Sequence, residues 1–277
     1  MATQDLPLRP YQQDFVDRLG KACQADDRVV AAFLGGSTVK GYADAYSDVD
    51  LCVITTDASF DEFLKEREMF LRALGELVFL EDFDTPSTAF YIYADGTEGE
   101  LNFGREGKLE NIHAGTFRIL LDKKNLLEGV EFPEHVPSSS DQLEKLRSQI
   151  QGFWHELSHF ITAMGRSQIW WAQGQIEALR GICVNLARLQ HNFLDADVGE
   201  EPYFKIEKVM PVDQLSALKE TFGPLENKEM LKAGLSLVSF YLDIAPSLAQ
   251  THGIQYSHGL ERVMLDRLQK LQDAYLA

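Results

Sequence analysis

Two aspartates separated by one residue are the side chains in this sequence best suited to chemistry. Asp48 and Asp50 flank Val49 at the start of an apolar run, and the pattern predicts a β-strand from Val49 to Ile54. Because side chains alternate along a strand, both carboxylates are expected on one face. Two carboxylates on an otherwise buried strand are costly to desolvate without a cation. The pattern therefore indicates a site for a hard divalent cation, which prefers carboxylate oxygens.

A glycine-rich turn precedes the aspartates. The apolar run from 29 to 34 predicts a strand, and Gly35, Gly36 and Ser37 follow it at the expected start of a short helix. Backbone N–H groups of such a turn can approach a phosphate closely, and Ser37 can cap the helix while its hydroxyl faces the anion. Lys40 could also reach a phosphate, although a solvated helix lysine is an equally good interpretation.

The turn and the aspartates together resemble the signature of the nucleotidyltransferases of the DNA polymerase β superfamily. That signature is Gly-Ser, a spacer and Asp-apolar-Asp on a strand, supplied here by Gly36-Ser37, the segment 38–47 and Asp48-Val49-Asp50. The run Ser47-Asp48-Val49-Asp50-Leu51 is similar in particular to the motif of antibiotic, aminoglycoside-type adenylyltransferases.

A predicted hairpin offers a third carboxylate. Two β-rich runs, 88–94 and 99–103, flank Asp95-Gly96, and the second places Glu100 and Asn102 on one face. The run 100–104 is similar to the piece of the aminoglycoside adenylyltransferases that carries the third metal carboxylate. The resemblance leaves Glu100 either as a metal ligand or as a general base, and an exposed hairpin glutamate is the alternative.

The resemblance implies Mg²⁺-dependent transfer of AMP from ATP to a hydroxyl of a small molecule, with release of pyrophosphate, and a role in antibiotic resistance. It implies that Asp48, Asp50 and Glu100 are catalytic and bind two Mg²⁺ ions. The nucleotide-binding residues would be Gly35, Gly36, Ser37 and Lys40. A non-catalytic nucleotide-binding regulatory module of the same fold is an alternative function.

The charge of the chain bears on its partners. A net charge of −17 and a pI near 4.8 repel nucleic acids and anionic membranes and attract cationic small molecules. We therefore expect a small, cationic acceptor such as an aminoglycoside, although an acidic surface that keeps the protein in solution explains the charge equally well. The charge leaves the oligomeric state open.

Neither a disulfide framework nor a targeting segment is expected. The three cysteines contain no CxxC pair, and the first residues lack the basic and apolar regions of a signal peptide. No apolar run approaches the length of a membrane span. These observations favour a cytoplasmic protein with reduced thiols.

The hydrophobic periodicity changes halfway along the chain, which predicts an α+β protein. Residues 1–135 are predicted to form a nucleotidyltransferase domain, a mixed β-sheet flanked by helices, and residues 136–277 an all-helical bundle that binds the acceptor. The proline-containing segment 128–137 is the expected boundary. The cleft between the two halves is the expected acceptor site.

The helical half contains a competing motif. His155-Glu156-Leu157-Ser158-His159 is an HExxH pattern on a predicted helix, and Glu177 on the next helix could supply a third zinc ligand. A zinc peptidase is therefore a further alternative, although so short a pattern often arises by chance. In the adenylyltransferase interpretation Glu156, Trp171 and Glu177 are candidate acceptor-binding residues. One member of the pair Trp170-Trp171 is expected in the core.

Overall fold

The computed structural model describes residues 8–41, 43–44, 46–82 and 87–276. The described residues fall into two compact units that divide between His135 and Val136. The first is built on a β-sheet and the second on helices, and the predicted α+β class is confirmed. No helix among these residues combines the length and apolarity needed to cross a membrane.

The sheet of the first unit has six strands among the described residues. They run in the spatial order β3-β4-β5-β2-β1-β6, and only the central pair, β2 with β5, is parallel. All other neighbouring strands pair antiparallel. In chain order the strands are β1 (Val29–Leu34), β2 (Leu51–Thr55), β3 (Leu77–Asp82), β4 (Thr88–Tyr93), β5 (Glu98–Arg105) and β6 (Arg118–Asp122).

Helices cover one face of this sheet and irregular segments cover the other. Helices α1 (Pro10–Ala25) and α3 (Phe60–Leu74) share a core with one face, whereas α2 (Gly36–Lys40) leads out of β1. On the opposite face Phe132 and Leu127, from the segment after β6, pack against Phe33 of β1. Both faces of β1 and β2 are buried, which explains their continuous apolar sequences.

The second unit is a bundle of long helices. Its elements are α4 (Ser139–Gly165), α5 (Ile169–His191), α6 (Ile206–Val209), α7 (Val212–Lys219), α8 (Asn227–Thr251) and α9 (His258–Leu276). Helix α4 packs against α5, α8 and α9, and α5 packs against α8. One apolar core joins these helices and includes Phe153, Phe160 and Tyr241.

A buried arginine ties the segment after α5 to the bundle. Arg188 is fully buried, and its Nη1 donates to Asp195 Oδ2 at 2.8 Å and to Asp197 Oδ2 at 3.3 Å. Its Nε donates to the Pro202 carbonyl at 2.9 Å, and its Nη2 donates to the Phe204 carbonyl. Asp195 and Asp197 are therefore paired with a structural cation inside the second unit.

Candidate active site

The paired aspartates lie just before β2, not within it. The sequence predicted a strand from Val49, but β2 begins at Leu51. The face alternation nevertheless holds, because Val49 is fully buried while Asp48 and Asp50 are partly exposed. Before Leu51 the segment makes single hydrogen bonds and no regular strand pairing: the Val49 N–H donates to the Glu98 carbonyl at 2.9 Å.

The parallel pairing of β2 with β5 brings the third carboxylate to the aspartates. Leu51 is opposite Leu101 in the register, so Asp50 and Glu100 are the residues next to this pair on neighbouring strands. In addition, the backbone N–H of Glu100 favours the ionised form of the Asp50 carboxylate and so lowers its pKa. Burial alternates along β5, with Glu100 outward and Leu101 and Phe103 inward, as the hairpin pattern predicts.

Asp48, Asp50 and Glu100 form an acidic group that has too little positive charge around it. Burial, followed by the negative charges of Asp48 and Glu100, raises the pKa of Asp50 from 3.8 to about 7. The backbone N–H of Glu100 and the charge of Lys40 offset only part of this rise in the pKa of Asp50. Burial and the Asp48 charge also raise the pKa of Glu100. A bound cation would relieve both effects.

The glycine turn lies directly against the acidic group. Gly36 has a φ of +63°, and a Cβ built on it would fall 1.8 Å from Asp50 Oδ2. Both the backbone conformation and the close approach therefore require glycine at this position. The Gly35 N–H donates to the Asp50 carbonyl at 3.0 Å, which fastens the turn to the start of β2.

Ser37 does not cap the helix. The N-cap residue of α2 is Gly35, so Ser37 lies inside the first turn, and the predicted cap is wrong. Its Oγ is buried and has no hydrogen-bond partner among the described residues. A buried hydroxyl without a partner is costly. Because it directly follows the glycine turn, this hydroxyl is a candidate donor to a ligand.

Lys40 lies at the other end of α2, and its partner could not be read from the sequence. Its Nζ pairs with Glu134 Oε1 at 3.1 Å, while its charge acts on Asp50. His113, also not anticipated, packs over Gly35: a Cβ there would fall 2.5 Å from the His113 ring. His113 is held by a hydrogen bond between its Nε2 and the Thr116 carbonyl at 3.0 Å.

The donor set fits a divalent cation whose coordination is completed by a substrate. Within the described ranges, no three His, Cys, Asp or Glu side chains are grouped so as to hold a metal ion by themselves. Mg²⁺ does not need such a cage, since it is usually bound through one or two carboxylates together with waters and substrate phosphates. Asp48 and Asp50, the second of which lies against the glycine turn, match that description.

The second unit brings together two of the three predicted acceptor-binding residues. With the Gln175 amide oriented to satisfy both of its atoms, its nitrogen donates to Glu156 Oε2 at 2.6 Å and its oxygen accepts from Trp171 Nε1 at 3.2 Å. Glu177 is occupied elsewhere, since it pairs with the buried Arg180 and accepts from Gln173. The core position expected for one tryptophan is wrong, because Trp170 is 79% and Trp171 37% exposed.

The HExxH pattern lacks a third ligand. The rings of His155 and His159 lie side by side on α4, with centroids 4.6 Å apart. Glu177, the residue proposed to complete a zinc site, has its carboxylate paired with Arg180. Among the residues that the structure describes, His155 and His159 belong to no group of three His, Cys, Asp or Glu side chains that could hold a metal ion. The pattern is therefore explained as two neighbouring histidines on a helix surface.

An acidic pair beside a glycine turn, on a mixed sheet followed by a helical bundle, defines the class of the protein as a nucleotidyltransferase. Residues 10–271 match the streptomycin adenylyltransferase family, and the chain belongs to this family. The sequence-based predictions of the superfamily and of an enzyme are thereby confirmed. Among curated proteins, none matches the sequence significantly.

Solved structures give weaker similarities. An aminoglycoside 6-adenyltransferase from Bacillus subtilis is 13% identical, with 96% of this chain and 99% of that chain covered and a TM-score of 0.40. A nucleotidyltransferase-like protein from Exiguobacterium sibiricum is 12% identical, with 84% and 75% covered and a TM-score of 0.36. A CCA-adding enzyme is 13% identical, with 96% and 91% covered and a TM-score of 0.31. Similarities at this level carry no inference about the acceptor.

Proposed function

We propose that this protein transfers AMP from ATP to a hydroxyl of a small cationic molecule, in a Mg²⁺-dependent reaction that releases pyrophosphate. The observation that carries the proposal is the partly buried Asp50, whose carboxylate experiences the charges of Asp48 and Glu100 and lies against Gly36, the residue before Ser37. Acids that repel one another beside an unused donor are suited to a bound cation and a bound phosphate.

The glycine turn is proposed to hold the triphosphate. Gly35 and Gly36 present main chain without side chains, so phosphate oxygens can approach their N–H groups. The Ser37 hydroxyl donates to a phosphate oxygen and gains the partner it lacks. The positive charge of Lys40 acts on Asp50. In this proposal Lys40 also contributes that positive charge to the binding of the phosphates.

Asp48 and Asp50 are proposed to hold two Mg²⁺ ions. When bound, these ions would neutralise charge on the phosphates and on the attacking and leaving oxygens. The chain's own contribution is to fix the main chain that carries the carboxylates: the Gly35 N–H donates to the Asp50 carbonyl, and the Val49 N–H donates to the Glu98 carbonyl. Catalysis then depends on positioning and on charges arranged in advance.

Glu100 has two possible roles that one variant separates. As a general base, Glu100 would accept the proton of the acceptor hydroxyl, and its raised pKa suits that task. As a metal ligand, it would share the cation with Asp50. Glu100→Gln should leave cation affinity unchanged if Glu100 is only a base, and should weaken it together with turnover if Glu100 is a ligand.

The proposed acceptor is an aminoglycoside such as streptomycin. The family name and the net charge of −17 support a cationic acceptor and argue against nucleic acid. Glu156 is the stronger candidate for contact with it, since it is joined through Gln175 to the half-exposed Trp171. Glu177 is the weaker candidate because Arg180 already neutralises it. A cytoplasmic location belongs to the same proposal.

The test is a screen of acceptors for pyrophosphate release. The purified protein is incubated with ATP and Mg²⁺ and with streptomycin, other aminoglycosides, a lincosamide or RNA, and products are identified by mass. We expect AMP to be added to one aminoglycoside, with no reaction in EDTA. In Glu156→Gln, KM should rise for the acceptor and stay unchanged for ATP.

Two results would contradict the proposal. Pyrophosphate release with RNA and with none of the small molecules would overturn the acceptor and keep the enzyme class. Turnover that persists in EDTA would overturn the divalent-cation mechanism, whatever the acceptor.

A further inference from the structure

The peptide between the two aspartates is held by a tyrosine from a strand that does not adjoin β2. Tyr91 on β4 is fully buried, and its hydroxyl donates to the Val49 carbonyl at 2.6 Å. Val49 lies between Asp48 and Asp50, so this hydrogen bond fixes the stretch of main chain that carries both carboxylates. The phenol ring packs in the apolar core against Phe15 and Tyr93, which leaves its hydroxyl little freedom to move.

A glycine makes room for this contact. Gly99 on β5 is directly opposite Tyr91 in the antiparallel register. A Cβ on Gly99 would fall 2.1 Å from the Val49 carbonyl oxygen and 2.9 Å from the Tyr91 hydroxyl. The Val49 carbonyl therefore rests on the bare main chain of Gly99 while the hydroxyl of Tyr91 reaches it. Neither residue alone would create this arrangement.

The hydrogen bond matters because the segment lies outside the strand ladder. β2 begins only at Leu51, so Val49 lacks the regular pairing that would hold a residue within a strand. Its N–H is bound by the Glu98 carbonyl at 2.9 Å, and the preceding Ser47 carbonyl accepts from Gln12 Nε2 at 2.9 Å. Tyr91 supplies the hydrogen bond on the remaining side, at the peptide joining Val49 to Asp50.

We infer that Tyr91 is a positioning residue for the cation site: its hydroxyl, acting through the Val49 carbonyl, sets the separation and direction of the Asp48 and Asp50 carboxylates. The inference rests on the proposed function, since it assigns the two carboxylates to a divalent cation. Tyr91 itself touches no substrate. Removing the hydroxyl leaves both carboxylate groups intact but should let the main chain that carries them shift. A cation site depends on ligand geometry, so its affinity should fall.

The chain contains a matched control for the test. Tyr93 lies two residues along the same strand, is also buried, and its hydroxyl donates to a main-chain carbonyl, that of Leu71, at 2.8 Å. Leu71 belongs to α3 and is not part of the acidic group. Tyr91→Phe and Tyr93→Phe therefore remove the same atom and the same kind of hydrogen bond, and only the first removes it from the cation site.

The experiment compares wild type, Tyr91→Phe and Tyr93→Phe by titration with Mn²⁺, an ion that binds the same oxygen ligands as Mg²⁺. Free Mn²⁺ is measured by electron paramagnetic resonance. Both variants should show similar falls in Tm, because each leaves one buried carbonyl unpaired. The Kd for Mn²⁺ should rise about tenfold in Tyr91→Phe only. With an acceptor in hand, kcat should fall in that variant while KM for the acceptor is unchanged.

A second variant tests the same contact without altering tyrosine. Gly99→Ala places a methyl group against the Val49 carbonyl and should also raise the Kd for Mn²⁺. If wild type binds Mn²⁺ and Tyr91→Phe binds it as tightly as Tyr93→Phe, the positioning role is overturned and the proposed function stands. If wild type binds no Mn²⁺ either alone or together with a non-hydrolysable ATP analogue, both are overturned.

Discussion

The two units of this protein treat buried charge in opposite ways. In the second unit Arg188 is fully buried, and two carboxylates and two carbonyls surround its guanidinium. In the first unit the partly buried carboxylate of Asp50 experiences the charges of two other acids, and Lys40, whose charge acts on it, is also paired with Glu134. One site is internally balanced, and the other lacks positive charge.

This difference separates structural from functional charge. A buried ion that finds its partners within the chain contributes to the folded geometry and needs no ligand. A buried acid without enough positive charge around it costs free energy in the ligand-free protein, and a cation recovers that cost on binding. Changes at Arg188 should therefore lower the stability of the fold, whereas changes at Asp50 should lower activity without lowering stability.

The largest expected effect is on turnover, and it comes from the acidic group. Asp50→Asn keeps the shape of the side chain but removes its charge, so transfer should fall at least about a hundredfold. The rate of pyrophosphate release measures this. Glu62→Gln, on the exposed start of α3, is the control and should be fully active. Near-normal turnover in Asp50→Asn would mean that the acidic group is not catalytic.

The next effect is on stability, and it comes from the second unit. Arg188→Met leaves Asp195 and Asp197 without their cation and should cost about 3–5 kcal/mol of unfolding free energy. The control is Lys270→Met, which breaks an exposed pair with Asp266 and should cost at most about 0.5 kcal/mol. Urea denaturation measures both. Equal costs for the two variants would remove the distinction drawn between balanced and exposed charges.

A smaller effect concerns pH in the cation-free protein. The folded pKa of Asp50 is about 7 against an ordinary 3.8, so the folded state holds this proton more tightly than the unfolded state. Its contribution to stability is therefore fully present below pH 3.8 and is lost as the pH rises towards 7. Between pH 5.5 and 7 the loss from this group should be about 2 kcal/mol.

Urea midpoints in EDTA across this pH range measure the slope. Asp50→Asn cannot titrate at this position, so the variant should lose this part of the slope and be more stable than wild type at pH 8. Addition of Mg²⁺ should flatten the wild-type slope, since bound cation favours the ionised carboxylate. A slope that is identical in wild type and Asp50→Asn would show that Asp50 is not the titrating group.

The smallest effect compares two buried hydroxyls. Ser37 Oγ has no partner among the described residues, whereas Thr221 Oγ1 accepts from Arg180 Nε at 2.8 Å and donates to the Leu218 carbonyl. Ser37→Ala removes a buried hydroxyl that has no partner among the described residues, so it should not lower the unfolding free energy. It should raise KM for ATP about tenfold, the equivalent of roughly 1.4 kcal/mol. Thr221→Val should cost about 1–3 kcal/mol of stability and leave KM for ATP unchanged.

Chemical denaturation and initial-rate kinetics separate the two outcomes. A Ser37→Ala variant that is destabilised as much as Thr221→Val would indicate a structural partner for Ser37. Unchanged KM for ATP in Ser37→Ala would remove this hydroxyl from the proposed triphosphate site.

Local patterns were enough to predict much of this protein. Strand β1 and the hairpin of β4 and β5 follow from periodicity and turn residues, which act over a few neighbouring positions. The spacing of Gly36-Ser37 and Asp48-Val49-Asp50 indicated the family, since the chemistry requires these residue types close together in the chain. The exact ends of the elements were predicted less accurately. Ser37 lies inside the helix that it was expected to cap, and β2 begins after the aspartates.

Only the tertiary structure decided which distant residues complete the site. The pairing of β2 with β5 skips two intervening strands to place Glu100 beside Asp50, and no periodicity in the sequence reports that neighbour. The same applies to Tyr91 on Val49, to Glu134 on Lys40 and to the exposure of both tryptophans. Such contacts depend on how whole elements pack, because a side chain's partner is set by the three-dimensional path of segments far away in the chain.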